Sequence, residues 1–179
     1  FLEIKKDINK TNFGNIQIVN MTCSRGMLHN GSHLVDLALW YFGFPEKVEK
    51  VIKNKCKTFK GDFCGQLLLK YKKFTVNIFA LDVPDLGNEE VDIKSDKYRV
   101  RVNHNNELER YKVYKHPKLI NTNYYKLTSK SAIKNNLSLD NLLYFATELI
   151  RGQKKSYIKP YNDMLDLYKI FSKFDKFYK

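Results

Sequence analysis

Four residues with side chains suited to binding or proton transfer lie close together early in the chain: His29, Asn30, His33 and Asp36. Histidine changes charge near neutral pH more readily than other side chains. We predict that His33 lies in the first turn of a helix, where the amide dipoles disfavour its protonated form. A neutral imidazole there could accept or relay a proton while a hydroxyl is oxidised to a carbonyl. Asp36 could hydrogen-bond the ring or a neighbouring backbone group as a structural support.

Two other interpretations of the histidines stay open at this point. A histidine at the start of a buried helix is often a hydrogen-bonded residue of the core or rim, with no part in catalysis. Histidines four residues apart on a helix share one face and can chelate zinc. Gly31 suggests that the helix has not begun at His29, and no glutamate follows the first histidine as in a metalloprotease motif. We therefore predict no metal at this position.

The helix that would position His33 is predicted to run from Gly31 and Ser32 to about Phe42. Ser32 is expected to cap the exposed amides, and Gly43 is expected to end the helix in the left-handed conformation. Nearly every residue after the first turn is apolar. This composition predicts that the helix is buried against a sheet.

The rest of the pattern predicts that sheet and further helices. Residues 1–10 resemble the end of a helix, and runs of β-branched and aromatic residues predict strands. The predicted strands cover residues 16–21, 48–55, 63–71, 74–81, 91–93, 98–102 and 108–114. Apolar periodicity predicts two late helices, at residues 139–151 and 162–174. The order favours an α+β fold, a large, mostly antiparallel (mixed) open sheet with helices packed on one face.

Composition and charge exclude several classes of protein. The 179 residues, 43% of them hydrophobic, suit one domain with a core. No apolar run is long enough to span a membrane, and no signal peptide is evident, so we expect a cytoplasmic protein without a membrane partner. Three cysteines, Cys23, Cys56 and Cys64, form no C-x-x-C pair and are expected to be reduced, half-buried strand residues.

The formal net charge of +13 is the one feature that favours a nucleic-acid partner. Only Arg25, Arg99, Arg101, Arg110 and Arg151 are arginines, whereas phosphate clamps and groove-reading proteins favour the bidentate guanidinium. The lysines are scattered through the whole sequence. We therefore interpret the charge as a solvated surface and do not expect a nucleic-acid partner.

A longer pattern surrounds the two histidines. The places of G-x-L-x-(D/N)-x-G-x-H-x-x-D, an apolar helix and G-x-P-x-x-V are occupied by Gly26, Leu28, Gly31, His33, Asp36, Gly43, Pro45 and Val48. This segment resembles the C-terminal α/β domain of the Gfo/Idh/MocA family of oxidoreductases. Weaker similarity to that domain extends to residues 13–16, 90–93, 98–102 and 141–152.

The resemblance implies that residues 1–179 form a single C-terminal domain for substrate binding and oligomer formation. The N-terminal dinucleotide-binding domain is expected to be absent from this chain, since neither G-x-G-x-x-G nor Glu-Lys-Pro occurs. NAD or NADP is therefore expected in the full-length protein and not on this domain alone, which is expected to be inactive by itself. The implied partners are a sugar, nucleotide sugar or polyol, and a second copy paired through the open sheet face.

In the family, the histidine that corresponds to His33 lies beside the reacting carbon, and an aspartate four residues earlier often assists it. This chain has His29 in that place and Asn30 next to it. We therefore expect His33 to be catalytic and His29, Asn30 and Asp36 to contribute to substrate binding, with proton transfer altered by the missing carboxylate. The alternative functions are a non-catalytic, sheet-mediated assembly or binding module and, less favoured, a basic nucleic-acid-binding domain.

Overall fold

The computed structural model of the chain describes residues 1–57, 60–83, 89–133 and 169–170. The chain separates into two compact units, Phe1–Ala132 and Ile133–Lys179. In the second unit Lys169 and Ile170 are helical, and Ile170 is fully buried. The rest of the two predicted late helices lies outside the described residues. The expectation that residues 1–179 form one domain stays a prediction.

The first unit contains two α-helices, one π-helix and eight strands among its described residues. The helices are α1 (Leu2–Ile8), the π-helix (Gly26–Gly31) and α2 (Ser32–Phe42). The strands are β1 (Ile16–Ser24), β2 (Lys47–Lys55), β3 (Phe63–Lys70), β4 (Thr75–Leu81), β5 (Glu89–Ser95), β6 (Tyr98–Val102), β7 (Glu107–Lys115) and β8 (Asn123–Ala132). All seven predicted strands are confirmed, and β8 is an addition. No helix in the described part of the chain is long and apolar enough to cross a membrane.

The eight strands form one sheet in the order β2-β3-β4-β1-β5-β6-β7-β8. β1 lies at its centre, parallel to β4 and antiparallel to β5. The other strand pairs are antiparallel. The chain thus leaves β1 through the π-helix and α2, reaches the edge strand β2, and returns through β3 to β4. This mixed open sheet confirms the predicted α+β fold class.

One face of the sheet forms the core. Because side chains alternate between the two faces, residues in register across the strands lie on the same side. On this side the fully buried residues are Val19, Met21, Cys23, Leu67, Leu69, Val76, Ile78, Val91 and Ile93. α2 packs over β1 and β4 and buries Leu34, Val35 and Ala38. Each large apolar side chain buried in this way contributes about 1.5–3 kcal/mol.

The opposite face of the sheet carries polar side chains that pair across the strands. Asn77 donates a hydrogen bond of 2.9 Å to Asn20 and accepts one of 3.3 Å from Gln66. Arg99 binds both carboxylate oxygens of Asp92, at 2.8 and 3.0 Å. Half-buried apolar residues lie between these groups, namely Ile18, Leu68 and Phe79. We call this side of the sheet the open face.

The strand that the sequence pattern does not predict, β8, has no buried side. Nine of its ten residues are exposed. Backbone pairing with β7 holds it, from Asn123 opposite Lys115 to Ala132 opposite Glu107. A strand exposed on both sides needs no alternation of apolar and polar residues, so the usual sequence signal is missing.

Candidate functional site

The π-helix continues directly into α2, so the four candidate residues lie on consecutive turns of one helical segment. His29 and His33 are exposed, and Asn30 and Asp36 are half-buried. The predicted α-helix is confirmed as Ser32–Phe42, but a π-helix that the sequence does not predict, Gly26–Gly31, precedes it without a break. The inference that Gly31 delays the helix is therefore wrong.

Gly31 is explained by packing. Its backbone is helical, with φ of −62°. A Cβ atom at this position would lie 2.6 Å from the sulfur of Met27. Met27 is fully buried, so the missing side chain at position 31 makes room for a core residue one turn earlier.

A buried carboxylate holds the start of the π-helix. Asp62, which is 9% exposed, accepts hydrogen bonds from the amides of Leu28 at 2.8 Å and His29 at 2.9 Å. It also accepts a hydrogen bond of 2.6 Å from the amide of Phe63. The first amides of a helix have no partner within the helix, and a carboxylate is the favoured group beside them because it also complements the helix dipole.

α2 begins at Ser32 as predicted, but the expected cap by the Ser32 side chain is wrong, because the π-helix continues into α2 and leaves no free helix start there. The Ser32 hydroxyl instead donates to the carbonyl oxygen of His29 at 2.8 Å. The dipole argument for a neutral His33 ring loses its basis for the same reason. The positive end of the helix lies near Leu28, and the charge of Asp62 offsets it there.

Gly26 lies against the clamping carboxylate and must lack a side chain. Its φ is +87°, in the left-handed region that favours glycine, and a Cβ atom would lie 2.3 Å from Oδ2 of Asp62. Arg25 before it also has a positive φ, of 65°. These two residues turn the chain sharply out of β1 so that its next amides point at Asp62.

The buried side of α2, which packs on the sheet, determines which side of the helix is exposed. Tyr41, at its end, is buried and donates a hydrogen bond of 3.1 Å to the carbonyl oxygen of Phe1. Burial raises the pKa of the Tyr41 hydroxyl above its usual value. With this side packed on the sheet, His29 and His33 lie four residues apart on the exposed side, where neighbouring side chains can act on one bound molecule.

The arrangement is suited to proton transfer and to hydrogen bonding of hydroxyl groups. Each exposed imidazole can accept a proton on one nitrogen and donate from the other.

In the described part of the chain, the group of three side chains close enough to share a metal consists of Cys56, Cys64 and Asp82, without either histidine.

A groove of about 180 Å³ lies elsewhere on the first unit, away from the histidines. Asp7 of α1 and Arg110 of β7 meet there in an ion pair of 2.6 Å. The other residues that line it are Lys10, Asn12, Phe13, Tyr98, Arg99, Val100 and Thr128. The candidate site is therefore an exposed helical surface and not part of this groove.

Sequence reasoning missed Asp62, which the structure places at the base of the site. Asp62 lies 34 residues after Leu28, so no local spacing connects the two. The available signal is an acidic residue between Gly61 and the apolar run that begins at Phe63. An acidic side chain that enters a buried strand needs partners, and free helix amides are among the best.

Three solved structures share this fold. The yvaA protein of Bacillus subtilis, provisionally named an oxidoreductase, matches with a TM-score of 0.67 at 16% identity over 96% of this chain and 57% of that one. A protein of Desulfitobacterium hafniense, provisionally named an NADPH-dependent oxidoreductase, gives 0.66 at 13% identity, covering 95% and 57%. The dehydrogenase MviM of Clostridium difficile gives 0.59 at 18% identity, covering 96% and 57%.

These identities establish a common fold and no more than that. No family model matches the chain. No curated protein matches it either. The chain spans 57% of the length of each of the three structures, somewhat more than half.

The contact between Gly26 and Asp62 can be tested by a double-mutant cycle. We expect Gly26→Ala to lower the free energy of unfolding by about 1–3 kcal/mol, from the backbone strain and the collision with the carboxylate. Asp62→Ala should cost about 1–3 kcal/mol, because it leaves buried amides without a partner. The double variant should lose less than the sum, since the methyl group then meets no carboxylate. Urea denaturation of all four proteins measures these values.

Gly43→Ala is the matched control for the cycle. Gly43 also has a positive φ, of +77°, but nothing lies within 4 Å of its added Cβ. This substitution should show backbone strain alone and should be additive with Asp62→Ala. If the effects of Gly26→Ala and Asp62→Ala were also additive, the proposed contact between Gly26 and Asp62 would be contradicted.

Proposed function

We propose that this chain is the substrate-binding domain of an NAD(P)-dependent oxidoreductase that acts on a hydroxyl or carbonyl group of a sugar, nucleotide sugar or polyol. The observation that carries the proposal is the pair of exposed imidazoles, His29 and His33, on a helix start that Asp62 fixes to the end of the sheet. The fold shared with three structures named as oxidoreductases or a dehydrogenase supports it. So does the resemblance of residues 26–48 to the Gfo/Idh/MocA segment.

His33 is the proposed proton acceptor and donor. When a hydroxyl is oxidised, its proton must leave as the carbon loses a hydride, and an exposed imidazole within hydrogen-bond reach can take that proton. His29 and Asn30, one turn earlier, are the proposed hydrogen-bond partners of neighbouring hydroxyl groups of a polyol. Asp36 is three residues beyond His33 on the same helix and supports the ring or the adjacent backbone.

The nicotinamide cofactor would supply the hydride chemistry, and the residues of this chain do not fit it. Binding a dinucleotide in this way requires a Gly-rich turn between a parallel strand and a helix. After β1, the central parallel strand, the chain continues as Ser24-Arg25-Gly26-Met27 and carries no such repeat of glycines. We infer that a separate domain holds NAD or NADP. This chain spans 57% of the length of each of the three structural neighbours, so each neighbour has enough further residues to form such a domain.

The catalytic assignment is tested on the full-length polypeptide that contains this chain. His33→Ala should reduce kcat by about 10²–10⁴-fold, the usual contribution of a positioned acid–base group, with the affinity for NAD(P)H unchanged. Cofactor affinity is measured by fluorescence titration and turnover by nicotinamide absorbance, with a panel of sugars and polyols. His104→Ala, in an exposed turn, is the control and should keep full activity. Normal turnover of His33→Ala would refute the assignment.

The role of His29 gives a second, independent test through pH. A carboxylate beside an imidazole stabilises the imidazolium. In His29→Asp, neutral His33 should therefore become the dominant form only at higher pH. The acid limb of the profile of kcat/KM for alcohol oxidation should move upward. His29→Asn has a similar size without the charge and should leave that limb in place. A limb that moves downward, or equally in both variants, would contradict the proximity of the two residues.

A second candidate function is assembly through the open face, favoured by its half-buried apolar residues and the exposed strand β8. An unprotected edge strand and an uncovered apolar surface are both typical of a protein interface. This function is compatible with the first, because an enzyme can also be an oligomer.

Sedimentation velocity over a range of concentrations tests the assembly. The chain should form a dimer, and Phe79→Gln, in the middle of the open face, should shift the equilibrium toward monomer by about tenfold or more. Ile120→Gln is the control, because Ile120 is 90% exposed and lies outside the sheet. A wild-type chain that stays monomeric at high concentration, or equal dimer stability in both variants, would exclude the open face as the interface.

A further inference from the structure

Two thiols and a carboxylate meet at the ends of three neighbouring strands. Cys56 follows β2, Cys64 lies in β3 and Asp82 follows β4. One ligand atom from each residue lies within 4.8 Å of the other two. Cys56 and Cys64 are buried, at 6% and 5% exposure. Buried thiols alone are ordinary packing residues. Here the carboxylate of Asp82 accepts a hydrogen bond from Cys56 and lies close to Cys64, so three side chains of kinds that bind metals lie together.

Hydrogen bonds hold the Asp82 carboxylate in place. Its Oδ1 accepts a hydrogen bond from the Cys56 thiol, with 3.2 Å between sulfur and oxygen. Its Oδ2 accepts one of 2.9 Å from the amide of Lys57. One oxygen is thus directed at the thiols while a backbone amide orients the other, as is usual for carboxylates that bind metals.

The strand register disfavours a disulfide between the two cysteines. Asn54 is opposite Cys64, so Cys56 and Cys64 are diagonal neighbours on the two strands. Diagonal residues have Cα atoms about 7–8 Å apart. A disulfide requires Cα atoms about 4.4–6.8 Å apart. Both cysteines are free. At this spacing a metal ion that bridges the two sulfurs fits better than a direct S–S bond.

We propose that Cys56, Cys64 and Asp82 bind a zinc ion, with water at the fourth position. Zn²⁺ takes thiolate sulfur at about 2.3 Å and carboxylate oxygen at about 2.0–2.2 Å in tetrahedral geometry, which sets sulfur–sulfur distances of about 3.8 Å. The observed limit of 4.8 Å exceeds this by about 1 Å, a small adjustment of side chains. Binding releases the two thiol protons to solvent.

The proposed ion would fix the ends of β2, β3 and β4 to one another. Cys56 also donates its backbone N–H to the carbonyl oxygen of Asp62 at 3.1 Å. The two cysteine ligands therefore belong to the same β2–β3 hairpin that carries the Asp62 clamp on the π-helix. The site does not depend on the proposed oxidoreductase function, so either can fail without the other.

The experiment uses the tag-free 179-residue chain, reduced and freed of metal by a chelator. Zinc titration against a chromogenic chelator should show one ion per chain. Cobalt in place of zinc should give thiolate-to-metal charge-transfer bands and the visible bands of tetrahedral Co²⁺. Cys56→Ser and Cys64→Ser should each lose the charge-transfer intensity of one thiolate, and Asp82→Asn should weaken zinc binding by about tenfold or more.

Two controls separate this site from others in the chain. Cys23→Ala removes the third thiol, which is fully buried in β1 and whose pKa burial raises to about 12, and it should leave the cobalt spectrum unchanged. The double variant with His29→Ala and His33→Ala should do the same. Spectra that depend on the histidines, or zinc affinity equal in the wild-type chain and Asp82→Asn, would overturn the proposal.

The melting temperature, Tm, with and without zinc gives a test that does not depend on the spectra. Zinc should raise the Tm of the wild-type chain, because a ligand of the folded state stabilises it by mass action, and the shift should vanish in Asp82→Asn. Asp82 is only half-buried, so this variant is expected to fold. No shift with zinc, or a Cys56–Cys64 disulfide found by mass spectrometry in the metal-free chain in air without any zinc binding, would also overturn the proposal.

Discussion

The buried carboxylate of Asp62 is the contact on which the candidate site depends. Three backbone amides, those of Leu28, His29 and Phe63, donate to this one side chain. The hydrogen bond from Phe63 is buried and those from Leu28 and His29 are partly buried. A buried donor without a partner costs as much as a lost hydrogen bond. Asp62 therefore joins the start of β3 to the segment that leaves β1. The two histidines have a defined place on the sheet because of this junction.

Much of the fold follows from the sequence because it rests on local patterns. Segments with one buried and one wetter side, such as β6 with Val100 and Val102 inward, repeat every second residue and were predictable. β8 could not be found in this way, since almost all of it is exposed. The turn after β5 contains no glycine. There the Ser95 hydroxyl accepts hydrogen bonds from the amides of Lys97 and Tyr98, at 3.2 and 2.8 Å, and supplies the turn.

The candidate site depends in part on contacts between residues distant in the sequence, which local patterns do not predict. The spacing of His29, Asn30, His33 and Asp36 could be read directly, and the structure places them on one helical segment. The start of that segment could not be predicted, because a partner distant in the sequence decides it. Gly26 and Gly31 are similar cases. Gly26 lacks a side chain because Asp62 lies against it, and Gly31 because Met27 does. Neither contact can be predicted from the spacing of the glycines. The catalytic and binding roles of the four residues stay predictions.

The position of β1 between β4 and β5 has a consequence for how the chain folds. Ile18 pairs with Thr75, so the central parallel contact closes a loop of more than fifty residues, whereas β3 and β4 join through a short hairpin. Closing long loops costs chain entropy before the contacts repay it, and such non-local pairing slows folding. The hairpins on either side can form early and independently. We expect the strand that carries the chain into the π-helix to pair with both of them last, so that the π-helix and α2 become ordered only when the sheet is complete.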